Sequence, residues 1–176
     1  MADEIISRDV NRVTVLAGVD SSGDIKQIRA DSTTGAMLVS FGDVDAIPNT
    51  DLTSSGPKTN SFAAQGTITI MDLVYLTAAS VWNKADADST GTAAGMLALS
   101  LETKTSQNMS VALPGSFIRN DAWSWSLGAV LFISTTPGAL TETAPSGTDD
   151  VVRVVGFAVT ATTIYFGPSP DYITRV

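Results

Sequence analysis

Residues 131–159 have the sequence LFISTTPGALTETAPSGTDDVVRVVGFAV, and this stretch decides the fold class. Two apolar, β-branched runs, 131–135 and 151–159, flank an insert rich in Thr, Ser, Gly and Pro. Such runs, bounded by turn residues, are typical of β-strands. The insert of about 15 residues is long for a hairpin connection. It therefore predicts either the loop of a binding site or an elaborated turn between two core strands.

The same alternation of apolar runs and turn residues continues outward from this stretch. From position 62 onward turn signals recur about every 8 to 12 residues, which is the spacing of a β-barrel or β-sandwich. No segment shows a capped helical period, although the Ala-rich segment 85–99 is ambiguous. The sequence therefore predicts an all-β chain, with strands at 66–71, 72–82, 95–103, 109–118, 128–135, 151–159 and 162–168.

The N-terminal part predicts a smaller, separate sheet. Three apolar segments separated by Asp-, Ser- and Gly-rich turns predict a three-stranded meander, with strands at 12–19, 25–30 and 36–41. A sheet of this size is marginal alone and must pack on the rest of the chain or on a partner. The segment that follows is polar, contains Pro and has no apolar period, so it predicts a linker. The expected units are an N-terminal anchoring module (1–41), a linker (42–61) and a C-terminal barrel or sandwich (62–176).

Charge and hydropathy exclude several classes of partner. The net charge is −8 and Lys and Arg total only 10, without a cluster. Nucleic-acid binding needs clustered cations, and an anionic membrane surface attracts the same side chains. No apolar stretch approaches the roughly 18 residues of a membrane span, and the polar N-terminus is unlike a secretory signal. We therefore expect neither a nucleic acid nor a membrane as partner.

The chain contains no Cys and no His. Disulfides, thiolate nucleophiles, Ser-His-Asp triads and the usual transition-metal ligands are therefore excluded, and no cofactor is predicted. An enzyme would have to use carboxylates. Glu142, Asp149 and Asp150 could form a glycosidase-type acid pair, whereas the alternative is that they are solvated turn residues beside a strand.

Three further features have open interpretations. In WSW, Trp123 and Trp125 would share one face of a strand, where they could plug the core, meet another subunit or stack on a sugar. DADST (86–90) places two carboxylates two residues apart, which suits either a solvated turn or an incomplete calcium loop. Arg153 lies within an apolar strand, where it predicts an edge charge or an ion pair with Asp149 or Asp150.

Two groups of motifs resemble structural proteins of tailed-bacteriophage virions. The N-terminal group is RDVNRVTV (8–15) with DSTTGAMLV (31–39). The C-terminal group runs from Tyr75 to Trp82, from Gly95 to Leu101, from Gly128 to Gly138 and from Ala144 to Ile173. These motifs consist of turns and apolar positions, and the resemblance carries over no catalytic residue. It implies that the first motif anchors the chain to the particle, through Arg8, Asp9, Asn11, Arg12, Val13 and Val15.

The resemblance implies a virion protein, made in the host cytoplasm, that forms a homotrimer and binds the major capsid protein or another virion protein. The short chain and the missing heptads favour a capsid decoration protein or a short head fibre. The alternative is a tail adaptor or tail fibre that contacts a host surface glycan, and the third hypothesis is the carboxylate-dependent glycan hydrolase. The expected subunit or ligand contacts are Trp123, Trp125, Thr136, Pro137, Glu142, Asp149 and Asp150.

Overall fold

The structure, a computed structural model, describes residues 47–176 and the backbone of four short strands before them. The chain divides into two compact units, Met1–Val44 and Asp45–Val176. The first unit contains β1 to β4, and β1 pairs antiparallel with β2 while β3 pairs antiparallel with β4. These strands are Ala17–Val19, Ile25–Gln27, Arg29–Ala30 and Met37–Leu38. The two pairs form two separate two-stranded sheets.

The second unit is built from strands, so the prediction of an all-β chain is confirmed. Its one described helix is a single turn, α1 (Thr90–Ala93), within the segment whose sequence was ambiguous. Its strands in chain order are β5 (Ser54–Ser55), β6 (Lys58–Thr59), β7 (Ala63–Ala64), β8 (Thr67–Ile68), β9 (Leu73–Leu76), β10 (Val81–Lys84), β11 (Leu97–Ser100), β12 (Lys104–Thr105), β13 (Val111–Ala112), β14 (Ser116–Arg119), β15 (Val130–Ile133), β16 (Leu140–Thr141), β17 (Val151–Val152), β18 (Val154–Ala158), β19 (Thr163–Phe166) and β20 (Ile173–Thr174).

Two six-stranded sheets form the body of this unit. The first sheet has the order β6-β13-β11-β9-β10-β7, and the second has the order β16-β15-β18-β19-β14-β5. All pairs are antiparallel except β10 with β7. Two-stranded ribbons, β8 with β12 and β17 with β20, complete it.

A central core between the two sheets holds them together as a sandwich. Alternate residues of each strand point to opposite faces, so each sheet contributes the inward half of its strands. The first sheet supplies Leu73, Leu97, Leu99 and Ala112, and the second supplies Ile118, Leu131, Ile133, Val155, Ile164 and Phe166. Most of these side chains are fully buried.

A second cluster covers the opposite face of the first sheet. Val74 and Ala98 alternate with central-core residues and pack with Trp82, which is fully buried. Ile68 and Met109, which lie outside the strands of this sheet, pack in the same cluster. The first sheet is therefore buried on both faces by its own chain.

Two glycine corners carry the chain from one sheet to the other. β5 belongs to the second sheet and β6 to the first, and Gly56 between them has a φ of 104°. β13 belongs to the first sheet and β14 to the second, and Gly115 between them has a φ of 95°. A Cβ on Gly56 would lie 2.8 Å from the Cα of Ser116, so the two corners pack directly on each other. Strands that change sheet through such bends close the side of a sandwich.

These corners correct two predictions, and a reversal at Ser80 corrects a third. The linker expected at 42–61 does not extend through its C-terminal part, because 54–59 supplies an edge strand to each sheet. The single strand expected at 109–118 is two strands, because Pro114 lacks an amide and Gly115 adopts a left-handed conformation. The strand expected at 72–82 is also two strands. Ser80, with a φ of 59°, donates its amide to Thr77 O at 3.0 Å and reverses the chain there.

Candidate functional site

The insert of residues 131–159 begins as a hairpin. β16 pairs with β15, Ile133 opposite Leu140, so the insert contains a short strand of its own. In the turn, the Ala139 amide donates to Thr136 O at 3.0 Å. Thr136 and Pro137 lie exposed at its tip. The expected long loop is therefore a short turn followed by a separate loop, 142–150.

Gly138 ties this turn to the first sheet. Its amide donates to Ala85 O at 2.7 Å, and its carbonyl accepts the Leu73 amide at 2.7 Å. Its φ is 83°, and a Cβ there would lie 2.9 Å from a carboxylate oxygen of Asp72. That carboxylate accepts the Thr69 amide at 2.7 Å and forms an ion pair with Lys84 Nζ at 2.8 Å. The hairpin tip is thus fixed in place.

Asp150 organises the second loop. It is only 9% exposed, and its Oδ2 accepts the Gly147 amide at 2.6 Å. The C-terminal strand holds the same segment, because the Asp149 amide donates to Arg175 O and the Arg175 amide donates to Asp150 O. Asp149 has a φ of 65° and is exposed. Two adjacent aspartates therefore differ completely in environment.

An open cleft of 270 Å³ lies inside the loop. One wall is the end of β15 with Ser134, and the other is the segment from Thr141 to Gly147. Asp150 also lines the cleft, and the lining is mostly polar. The sequence could indicate this cleft only as a long insert.

The two predicted contact tryptophans lie in a loop outside the cleft. Their indole centroids are 5.7 Å apart, and both rings are half-buried against the central core. The expectation that Trp123 and Trp125 lie in a strand is wrong, because Asn120 Oδ1 accepts the Ala122 amide and turns the chain. Packing against the core agrees with the first of their three predicted interpretations.

Glu142 stabilises this tryptophan loop. Its carboxylate accepts the backbone amide and, at 3.1 Å, the hydroxyl of Ser126. Glu142 and Asp150 are thus both acceptors for backbone amides that shape neighbouring loops. This arrangement gives each carboxylate a structural role, which weakens the hypothesis of a glycosidase acid pair.

Asp88, from DADST, lies close enough to Asp86 and to Asp150 for their charges to act on it. Asp86 Oδ1 accepts the Asp88 amide at 2.8 Å, which makes the local turn. Desolvation, and then the negative charges of Asp86 and Asp150, raise the pKa of Asp88 above its ordinary value. Among the residues that the structure describes, no group of three or more acids is arranged to hold a metal ion.

Arg153 departs from the expected ion pair with Asp149 or Asp150. Its guanidinium is buried and donates to three backbone carbonyls: Ser169 O at 2.7 Å, Ala93 O at 2.6 Å and Gly95 O at 2.7 Å. Burial lowers the pKa of this guanidinium, although Arg retains its charge at neutral pH. Arg153 therefore joins β18 to the end of α1 and to the C-terminal segment.

A row of apolar side chains crosses the outer face of the second sheet. We call Val130, Phe157, Tyr165 and Phe117 the outer row. They are direct neighbours across β15, β18, β19 and β14. Phe157 is 47% exposed, and the rings of Phe117 and Tyr165 are 5.4 Å apart. No sequence pattern indicates this row, because neighbours in it lie on different strands.

The predicted anchoring residues Arg8, Asp9, Asn11, Arg12, Val13 and Val15 lie outside the described residues. In the described part of the chain, no helix is long and apolar enough to cross a membrane. Comparison with protein-family models, curated proteins and solved structures finds no match for this chain.

Proposed function

We propose that this chain is a structural virion protein of a tailed bacteriophage that acts by binding and not by turnover. It binds the capsid surface as a decoration protein or short head fibre. The sequence motifs at 8–15 and 31–39 support the virion context. The outer row is the structural observation that carries the binding role, because contiguous exposed apolar patches mark protein contact surfaces.

In this proposal the two units have different roles. The N-terminal unit, with its short strands, docks on the particle. The C-terminal unit brings copies of the chain together through the outer row. No member of the row is charged, so copies of a chain with net charge −8 can meet there without opposing like charges. Several weak contacts in one oligomer then act together through effective concentration.

A truncation separates the two roles. The C-terminal unit has its own cores, so deletion of residues 1–41 should leave a folded oligomer that no longer binds particles. Binding is measured by co-sedimentation with particles that lack the protein, and oligomeric state by light scattering. Truncated protein that still decorates particles normally would contradict the anchoring role.

Phe157→Glu in the full chain is the complementary variant. It places a charge in the outer row at an exposed position, so the monomer should remain folded. We expect dissociation of the oligomer and at least about tenfold weaker particle binding, because avidity is lost. An unchanged oligomer would show that copies meet through another surface.

A further inference from the structure

The geometry points to the cleft of residues 134–150 as a binding subsite for a neutral, hydroxyl-rich ring, such as one hexose unit of a glycan. This inference goes beyond the proposed virion role and does not depend on it. The volume of 270 Å³ lies just below the range of about 300–1,000 Å³ of ordinary ligand pockets. The cleft therefore suits a single sugar ring.

The buried carboxylate is the principal argument. Asp150 is nine-tenths buried, and its Oδ2 accepts the Gly147 amide, whereas its Oδ1 has no hydrogen-bond partner among the residues that the structure describes. That oxygen is not among the described buried polar atoms without a partner, so it is open to the cleft and available as an acceptor. Two hydroxyls of one sugar ring can donate to such an oxygen.

Hydroxyl groups on the cleft walls complement this acceptor. Ser134 Oγ accepts the Thr136 amide at 3.0 Å, and Thr141 Oγ1 accepts the Thr143 amide at 3.1 Å. Since these oxygens already accept, their protons remain available for donation to a ligand. The ligand must therefore donate hydrogen bonds to Asp150 and accept hydrogen bonds from the hydroxyl groups of the walls. A sugar hydroxyl does both.

Charge selects against acidic ligands. None of the residues lining the cleft is Lys or Arg. The negative charge of Asp150, which lines the cleft, also contributes to raising the pKa of Asp88, so a second carboxylate lies within electrostatic reach of Asp150. A phosphate or an acidic sugar would be repelled by Asp150, although Arg175 Nε, which donates to the carbonyl of the lining residue Pro145 at 3.3 Å, brings one positive charge close to the cleft. The site should consequently prefer neutral sugars.

The test is saturation-transfer NMR and titration of the full chain with glucose, galactose, mannose and N-acetylglucosamine, and with glucuronic acid as the acidic comparison. At least one neutral sugar should bind with a Kd of about 1–10 mM, as single rings commonly hold few contacts. Glucuronic acid should bind at least about tenfold more weakly than the best neutral sugar.

Asp150→Asn is the decisive variant, because the amide oxygen can still accept from Gly147 while the charge is lost. It should weaken sugar binding at least about tenfold. Asp149→Asn makes the same charge change at the exposed neighbour and should leave binding within about twofold. Thermal unfolding verifies that both variants fold. If Asp150→Asn does not, Ser146→Ala removes a cleft hydroxyl that forms no described side-chain hydrogen bond, and should weaken binding about threefold.

Three results would overturn the inference. The first is that no neutral sugar in the panel binds. The second is that glucuronic acid binds as tightly as the neutral sugars. The third is that the folded cleft variant binds as well as the original chain. None of these results concerns particle binding, so the virion proposal is tested separately.

Discussion

Gly156→Ala should destabilise the C-terminal unit by about 3 kcal/mol or prevent its folding. Gly156 is buried in β18, opposite Leu131 on one side and Phe166 on the other. A Cβ there would lie 2.1 Å from the carbonyl oxygen of Tyr165, so β18 and β19 would have to separate. The register between β15 and β18 shifts beside this position, which is the site of a β-bulge. For a chain of this size the melting temperature should fall by about 10 °C.

Gly91→Ala is the matched control for this substitution. Gly91 is exposed in α1, and an added Cβ would meet only the Ser89 hydroxyl oxygen, at 3.6 Å. Ala also has the higher helix propensity, so stability should stay constant or rise by up to about 1 kcal/mol. Calorimetry on both variants makes the comparison. Equal melting temperatures for Gly156→Ala and the original chain would contradict the packing of β18 on β19.

Arg153→Met should destabilise the unit by about 3–5 kcal/mol. Met keeps the apolar stem of Arg but removes the guanidinium, which leaves the carbonyls of Ala93, Gly95 and Ser169 without their donor. Each buried acceptor without a partner costs about 1–3 kcal/mol. The end of α1 and the C-terminal segment should detach first, because Arg153 joins both to β18. Hydrogen exchange at 90–96 and 167–175 would detect that loosening.

Arg119→Met is the control for charge and size. Arg119 Nε lies 2.6 Å from Asp121 in a partly exposed ion pair, and such pairs contribute at most about 1 kcal/mol. Chemical denaturation of both variants gives the two free energies of unfolding. Equal, small losses of unfolding free energy in both variants would show that the carbonyl contacts of Arg153 contribute no more to stability than a surface ion pair.

The sequence predicted the fold class and most strand positions because alternation and turn residues are local signals. It missed the reversal at Ser80, because TAAS contains neither Gly nor Pro. The sequence also predicted a single strand at 109–118, because apolar residues continue on both sides of Pro114 and Gly115. These two residues in fact mark the break between two strands. The sequence placed 54–59 in a linker as well, since two-residue strands owe their order to pairing with distant segments and not to their own composition.

The candidate site shows the same division between local and tertiary information. Glycine and proline indicated a bent insert at 136–150, but Gly138 is fixed by Asp72 and Ala85, which lie more than fifty residues earlier in the chain. The adjacent Asp149 and Asp150 are chemically identical in sequence. Only the fold makes one exposed and the other buried. Arg153 was expected to be an edge charge or to pair with an acid, yet it is buried and its partners are backbone carbonyls, which no residue pattern displays.

Quantitative mass spectrometry of purified phage particles is the most direct test of the proposed capsid role. The measurement is the number of copies of this chain relative to the major capsid protein. A capsid decoration protein or head fibre should be present in a stoichiometry set by the capsid lattice. Absence from the particle would contradict the virion role, and a copy number as low as that of tail proteins would contradict the capsid position.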